Sequence, residues 1–490
     1  MRNLMRPLLP GLLLWVAGCS VGPDYVRPSL DTETPEQWTR PTLAEALPDS
    51  GANHWRWWEA FGDTTLNTLV ETSLVHNNDL AVAAGRVLEA DALLGGAKSA
   101  RLPSMEIGGA ASRSKSSTSQ TRGFFSPYQN AFSATATARY ELDLWGRLSR
   151  GQEAALATLM ASEQDRRSVA QRLIADVVRT WLEIRELQLQ VALNESTVAN
   201  FTQNLATVRQ RYNRGLVSSL DLHLAAQNLA AAQAVGPPFR QNLAAARRRL
   251  EILAGRYPAG SIIGSDLERA DGTLTETLMP APLAPVPAGL PSDLLERRPD
   301  LSAAELRLHG TVARVGEAKA LLYPRISLTA SAGTASNELS DLFTDPASIW
   351  SLAGNLVMPL INRGATQAQI KAAEARAMQS ASQYRATVLQ AFSEVENALD
   401  ADTFQSAQET FLIDSVEYAR RSVDRAEERY SRGLDTILVA LESQRRLYSA
   451  ESQLLTTQRL RRSARVNLIQ ALGGPWDETG IENKEMAGND

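Results

Sequence analysis

The sequence predicts an α+β protein made of two tandem structural repeats, each holding two amphipathic β-strands and a hairpin of long α-helices. Three observations predict it. The stretch Arg211-Tyr212-Asn213-Arg214-Gly215-Leu216 returns as Arg429-Tyr430-Ser431-Arg432-Gly433-Leu434, an offset of 429 − 211 = 218. Proline-free stretches lead into both motifs, from Arg147 to Tyr212 and from Gly364 to Tyr430. At 1.5 Å per residue each gives roughly 100 Å of helix, too long to fold back into a compact globule. Four shorter segments alternate apolar and polar residues with period two.

The 490 residues carry 50 basic against 55 acidic side chains, a net charge of −5, so there is no basic footprint for nucleic acid. A mean hydropathy of −0.22 argues against a bundle of membrane-spanning helices. The four histidines (His54, His76, His223, His309) form no H-E-x-x-H pair, and there is no P-loop. No enzyme, catalytic residue or metal site is expected. Glu183 and Glu186 read as exposed coiled-coil charges, Glu394 and Glu396 as facing different sides of one helix, and Arg247-Arg248-Arg249 as a solvated face.

The N-terminus reads as a signal segment, residues 1–18. Arg2 and Arg6 precede an apolar run, Leu8 to Trp15, too short to span a bilayer. It ends in Val16-Ala17-Gly18-Cys19, which resembles a bacterial lipobox; the alternative is an ordinary signal peptide with a chance cysteine. Cys19 is the only cysteine, so no intramolecular disulfide can form. Lipidation at Cys19 is the preferred reading, with the N-acyl and diacylglycerol lipid as the sole covalent group and no other cofactor. By analogy with lipoprotein sorting, Ser20 after the cysteine favours the outer membrane. Such chains anchor a protein to one leaflet without spanning it.

An N-terminal anchor and equatorial segment (19–63) leads into repeat 1 (64–255). That repeat holds a helix, strands at about 103–113 and 131–144, a long helix at about 147–212 and a return helix at about 219–253. A linker and equatorial segment (256–298), proline-rich from Met279 to Pro291, precedes repeat 2 (299–474). There the strands fall at about 324–335 and 349–361, the long helix at about 364–430 and the return helix at about 436–472. A tail, 475–490, follows. Landmarks recur at nearly one offset: Asp79 and Asp300 (221), Pro103 and Pro324 (221), Gly146 and Gly364 (218), Leu253-Ala254-Gly255 and Leu472-Gly473-Gly474 (219). Pro237-Pro238 lies inside the first return helix, where proline is expected to kink it.

The long helices carry apolar residues in alternating steps of three and four: Ile174, Val177, Trp181, Ile184; Val388, Phe392, Val395, Leu399; Val416, Ala419, Val423, Ala426, Tyr430. That is a coiled-coil seam. Along Ala131 to Leu144, Phe132, Ala134, Ala136, Ala138, Tyr140, Leu142 and Leu144 alternate with polar residues. Ile326, Leu328, Ala330 and Ala332 do so in the third strand, and Met105, Ile107, Gly109 and Ala111 more weakly in the first. Trp350, Leu352, Leu356, Met358 and Leu360 line one side of the fourth. Such strands fit a half-buried sheet or a lipid-facing barrel wall, and the lipobox favours the wall. Four strands cannot close a barrel when known membrane barrels start at about eight. An open edge in lipid leaves backbone groups unpaired. Strands that span a membrane must therefore be pooled by several chains.

Val21-Gly22-Pro23-Asp24-Tyr25, Trp57-Trp58-x-x-Phe61, Leu295-x-Arg297-Arg298-Pro299-Asp300-Leu301-x-Ala303-Ala304-Glu305 and the two Arg-Tyr-x-x-Gly turns resemble the TolC-like outer-membrane factors of tripartite efflux systems, in their lipoprotein (NodT-type) branch. The resemblance covers nearly all of the mature chain. It implies a homotrimer, in which four strands per chain form a twelve-stranded transmembrane β-barrel continued by a periplasmic α-helical coiled-coil barrel. It further implies passive efflux of small molecules, with a periplasmic membrane-fusion adaptor and an inner-membrane pump of the RND type as partners. A channel for polypeptide secretion and a non-conducting envelope-spanning lipoprotein are the alternatives. Gly215, Leu216, Gly433 and Leu434 match the family's adaptor-docking tips. Closed relatives place an apolar ring and a carboxylate ring after the second tip. Asp435, Leu438 and Glu442 fall there, at spacings of three and four on one face of the returning helix. Leu438 matches the apolar ring and Glu442 the carboxylate ring, where relatives often carry Asp.

Overall fold

A computed structural model of the chain describes residues 20–28, 37–39, 54–115, 128–262, 279–284, 291, 294–361 and 363–474. The signal segment, Cys19 and the tail lie outside the described residues. Among the described residues no helix is long and apolar enough to cross a membrane.

Helix α1 (Thr64–His76) starts at Asp63, whose carboxylate accepts a hydrogen bond from the Leu66 amide, and stops at Asn77. The Asn77 side-chain oxygen accepts from the amides of Asp79 and Leu80, so α2 (Asn78–Ser99) begins at once. Two helices thus stand where the sequence reading places one. After β1 (Ser104–Lys115) and β2 (Tyr128–Leu142) come α3 (Arg147–Asn213) and α4 (Ser219–Leu253). The second half runs α5 (Leu294–Arg297), α6 (Pro299–Ala320), β3 (Arg325–Ser336), β4 (Ser348–Val357), α7 (Arg363–Ser431) and α8 (Ile437–Ala471). Helices α2 and α6 begin at equivalent positions of the two halves, and both are 22 residues long.

Two local expectations need correction. Strand β2 stops at Leu142 because Asp143 turns to cap α3, accepting from the amides of Leu148 and Ser149, which leaves Leu144 in the turn. Strand β4 stops at Val357, two residues before Pro359, and leaves Met358 and Leu360 past its end. Helix α4 runs unbroken through Pro237 and Pro238. Near the prolines the Asn194 amide donates to the Ala232 carbonyl at 2.9 Å, adding a backbone partner from α3.

The chain forms two compact units, each drawing on both halves of the sequence. The first comprises Met1–Asp31, Ala84–Gln164 and Leu301–Thr387; the second comprises Thr32–Ala83, Asp165–Asp300 and Val388–Asp490.

The first unit holds one antiparallel sheet in the order β1-β2-β3-β4. Its register sorts side chains into two faces across all four strands. Ile107, Ala136, Ala332 and Trp350 form one row, and Met105, Ala138, Ala330 and Leu352 the next. On the opposite face run Glu106, Thr137, Ser331 and Ser351, then Ser104, Arg139, Thr329 and Ala353. Glu106 and Arg139 pair there at 3.0 Å, and the hydroxyls of Ser331 and Ser351 at 2.8 Å. One face is apolar and the other polar, because every strand keeps its period of two in the same register.

The second unit is held by the expected seam. Ile174, Val177, Trp181 and Ile184 are buried with Trp58, Leu66, Val70 and Leu250. Glu186 corrects the sequence reading. It is 7% exposed and accepts from Arg459 and from the Thr456 hydroxyl at 2.6 Å, so it is a buried cross-link, since a buried carboxylate requires such partners. Glu183 pairs with Arg249 at 2.8 Å. Two further arginines of α8 fasten the linker: Arg462 donates to the Pro280 carbonyl and Arg465 to that of Ala284. In Arg297-Arg298-Pro299-Asp300, Arg298 is buried and bonds Asp300, Glu394 and the Ala471 carbonyl, while Pro299 opens α6.

Candidate functional site

Functional features fall in three places. The first is the sheet, whose apolar face is bounded by aromatic groups. Between β2 and β3 at one end, Trp145 and Tyr323 stack with ring centres 4.8 Å apart, and the Trp145 indole donates to the Pro324 carbonyl at 2.8 Å. At the other end Tyr128 lies under Arg113 and Lys115, each 5.3 Å from its ring centre, and Phe343 is exposed. Aromatic rings at both limits of an apolar band mark the two interfaces of a bilayer. The strands, 12, 15, 12 and 10 residues long, suffice to cross its hydrocarbon layer.

The second is the segment after Cys19. Cys19 itself lies outside the described residues, but Ser20 rests on Gly146, at the junction between β2 and α3. The Val21 amide donates to the Trp145 carbonyl at 3.1 Å. Gly22 has φ of +121° and meets the backbone of Gly316, so no side chain fits there. Asp24 pairs with Arg150 at 2.5 Å. The Tyr25 hydroxyl donates to Glu305 at 2.9 Å while its ring stacks on His309, and Arg27 grips Glu305 through two bonds of 2.8 and 2.7 Å. Burial and the Glu305 carboxylate push the Tyr25 hydroxyl well above its ordinary range. The stretch from Val21 to Tyr25 is thereby a docked strap. Its partners lie more than 100 residues away in sequence, which hid this role.

The third is the pair of hairpin tips in the second unit. Gly215 and Gly433 have φ of +71° and +74°. At the first tip the Leu216 amide donates to the Arg211 carbonyl and the Gly215 amide to that of Tyr212. Leu434, Arg429, Gly433 and Tyr430 repeat this at the second. Each is a helix stop in which glycine takes the left-handed position and the next residue bonds back across the turn. The repeated motif is therefore one stop signal used twice. A leucine in this place commonly packs on its own helix, yet Leu216 and Leu434 are 68% and 61% exposed.

Beyond the glycines the tips differ. Ser218 and Asp221 form a reciprocal capping box on α4. Helix α8 has Thr436 as its N-cap without a side-chain bond, so Asp435 lies before the helix, not on the expected shared face. The Asp435 carboxylate turns back to Arg429 at 2.5 Å, and that hydrogen bond holds it below the usual aspartate range. Leu438 is 54% exposed in the first turn of α8. Glu442, one turn further, binds Arg446 at 2.9 Å and Arg445 at 2.7 Å, and these bonds hold its carboxyl below the usual glutamate range. Sequence reading missed both arginine partnerships, although the i, i+3 and i, i+4 spacings carry them.

A sheet with one apolar and one polar face, joined to paired helical hairpins, defines the class of outer-membrane channels. The family model described as outer membrane efflux protein matches residues 69–256 and 290–474. The chain belongs to this family. It is 32% identical over 474 residues to the solvent efflux pump outer membrane protein SrpC of Pseudomonas putida, covering 95% of this chain and 97% of that one. It is 33% identical over 488 residues to the pyoverdine export outer membrane protein OpmQ of P. putida, covering 96% and 97%. Among solved structures, the outer-membrane channel OprN matches with a TM-score of 0.83 at 30% identity, over 94% of this chain and all of that one. CusC, a transmembrane channel, matches with a TM-score of 0.80 at 28% identity over 93% and 100%. The fold is that of the trimeric outer-membrane channels with a β-barrel and a helical barrel, and the protein is an outer-membrane efflux channel.

Proposed function

We propose that the chain is the exit duct of a tripartite pump, taking small organic molecules passively from a periplasmic adaptor and an RND-type inner-membrane pump to the exterior. The observation that carries this is the sheet: its apolar face crosses all four strands, its polar face suits a water-filled lumen, and both edge strands are open within one chain. The relatives named for solvent, toluene and pyoverdine export support small organic substrates. We place the lipid on Cys19, next to a residue that rests at the strand-to-helix junction beside Trp145, the height of the inner face of the membrane. The exposed Leu216 and Leu434, each following the positive-φ Gly215 or Gly433, are the adaptor-docking knobs. Leu438 and Glu442 form the constriction, with Asp435 buttressing the turn that positions them.

The test has three arms. Native mass in detergent is expected to show a trimer, and planar-bilayer recording to show stepwise conductance that drops with Ser331→Arg on the polar face. A stable monomer, or a conductance indifferent to that change, would sink the reading. Labelled palmitate is expected to enter the wild type and not Cys19→Ser.

A further inference from the structure

At the end of the sheet opposite Trp145 and Tyr323, the chain around β1 and the connection from β3 to β4 carry opposite charge. Between Glu106 and Glu141 the sequence has no acidic residue, and β1 ends there with Arg113 and Lys115. Between Arg325 and Arg363 it has no basic residue, and the connection from β3 to β4 carries Glu338, Asp341 and Asp345, all exposed. The two sets stand at one level. Ala111, Phe132 and Ser336 form the last row shared by β1, β2 and β3. Arg113 lies two residues beyond Ala111, Lys115 four beyond it, and Glu338 two beyond Ser336.

Strand order decides which chain supplies the partner. Strand β1 is separated from its own β3 by β2, two strand spacings or about 10 Å. A β4 from another copy, laid on the open edge of β1, lies one spacing away, about 5 Å. Closing a barrel from several such sheets must make that pairing, because an edge cannot stay open in lipid. The basic end of β1 then faces the acidic connection that leads into the next copy's β4.

We propose that the rim at this end of the barrel, opposite Trp145, is a ring of intermolecular salt bridges. Arg113 and Lys115 of each copy meet Glu338, Asp341 and Asp345 of the next. The ring fixes head-to-tail order around the barrel and opposes slippage of the β1–β4 seam, where a shift would carry the charges apart. The Tyr128 ring holds both cations in place beforehand, which lowers the entropy lost on pairing. Each exposed pair is weak alone; the ring sums them at every seam. This inference rests on the trimeric-barrel reading.

The test heats the purified full-length trimer in mild detergent and follows its dissociation to monomer on a semi-native gel. The double variant R113E/K115E and the triple variant E338K/D341K/D345K are each expected to lower the midpoint by about 5 °C or more. Combining all five substitutions restores opposite signs across the seam and is expected to recover most of that loss. High salt is expected to lower the wild-type midpoint and to raise those of the single-sign variants, whose facing like charges it screens. Wild-type midpoints in either variant would overturn the ring, as would an additive loss in the combination, the result expected if Arg113 and Lys115 serve anionic lipid headgroups instead. A wild-type protein that is monomeric before heating would remove the barrel reading itself, which separates the two failures.

Discussion

Arg211 lays its guanidinium 4.5 Å from the centre of the Tyr430 ring, so the arginine of one tip motif rests on the tyrosine of the other. The two hairpins also meet where Asn204 donates to Gln444 at 2.8 Å, around a shared core of Phe201, Val208, Ile437 and Leu441. A cation over an aromatic face contributes about 0.5–1 kcal/mol at such a site. We expect Arg211→Ala to loosen the second tip, measured as faster amide exchange over residues 429–437, with Arg211→Lys intermediate. Unchanged exchange in both would show that the apolar core alone locks the tips.

The charge at the proposed constriction is a cluster, since Glu442 sits between Arg445 and Arg446. Replacing it with Gln leaves two exposed arginines unpaired. We expect Glu442→Gln to shift the reversal potential toward anion selectivity in a salt gradient, where a bare carboxylate ring would merely lose cation preference.

Acid is expected to act late on the same cluster. Hydrogen bonds from Arg446 and Arg445 depress the Glu442 carboxyl in the folded protein below its ordinary 4.5. A depressed carboxyl keeps its pairing above the ordinary value and loses it as pH falls through the lower folded value. Conductance should therefore hold steady from about pH 8 to 5 and change only below the ordinary carboxylate range. A transition near neutral pH would assign the control to another group.

Gly22→Ala tests the strap. A methyl group there meets the Gly316 backbone, and a φ of +121° is strained for any L side chain. We expect the segment to lift, exposing the half-buried Tyr25 and its bond to Val26 to chymotrypsin in the folded protein. Gly62→Ala is the control, because its φ is also positive, at +67°, yet nothing lies near its missing side chain.

The faces of the sheet predict opposite tolerances. Leu352→Arg places a charge on the apolar face at a cost of about 2–4 kcal/mol near the bilayer centre, and assembly should fail. Thr137→Arg, on the polar face, should assemble and conduct less. Equal assembly of both variants, read from heat-resistant trimer, would reverse the assignment of the faces.

Much of this was legible because it is local. Period two in the strands, steps of three and four along Ile174 to Ile184, and the Arg-Tyr-x-Arg-Gly-Leu stop signals each express the geometry of a few consecutive residues. That is why the long helices were placed to within a residue of where they lie. The misses share a cause as well. Asp435 has the right spacing for the α8 face, but Thr436 takes the cap position, and spacing counts only inside a helix. Glu186 resembles any coiled-coil charge until Arg459, 273 residues later, is packed against it.

By itself, then, the sequence determined the repeats, the two-faced strands and the glycine turns, since backbone sterics and hydrophobic periodicity act over one or two turns of chain. Only the tertiary structure decided that Val21 to Tyr25 is a strap closed by Arg150, Glu305 and His309, and that Glu442 is held by arginines. It also brought Arg211 onto Tyr430 and set the basic end of β1 level with the acidic residues that follow β3. Those relationships depend on which distant segments pack together, and charge, ring stacking and burial take effect only after that packing has brought the groups within a few ångströms.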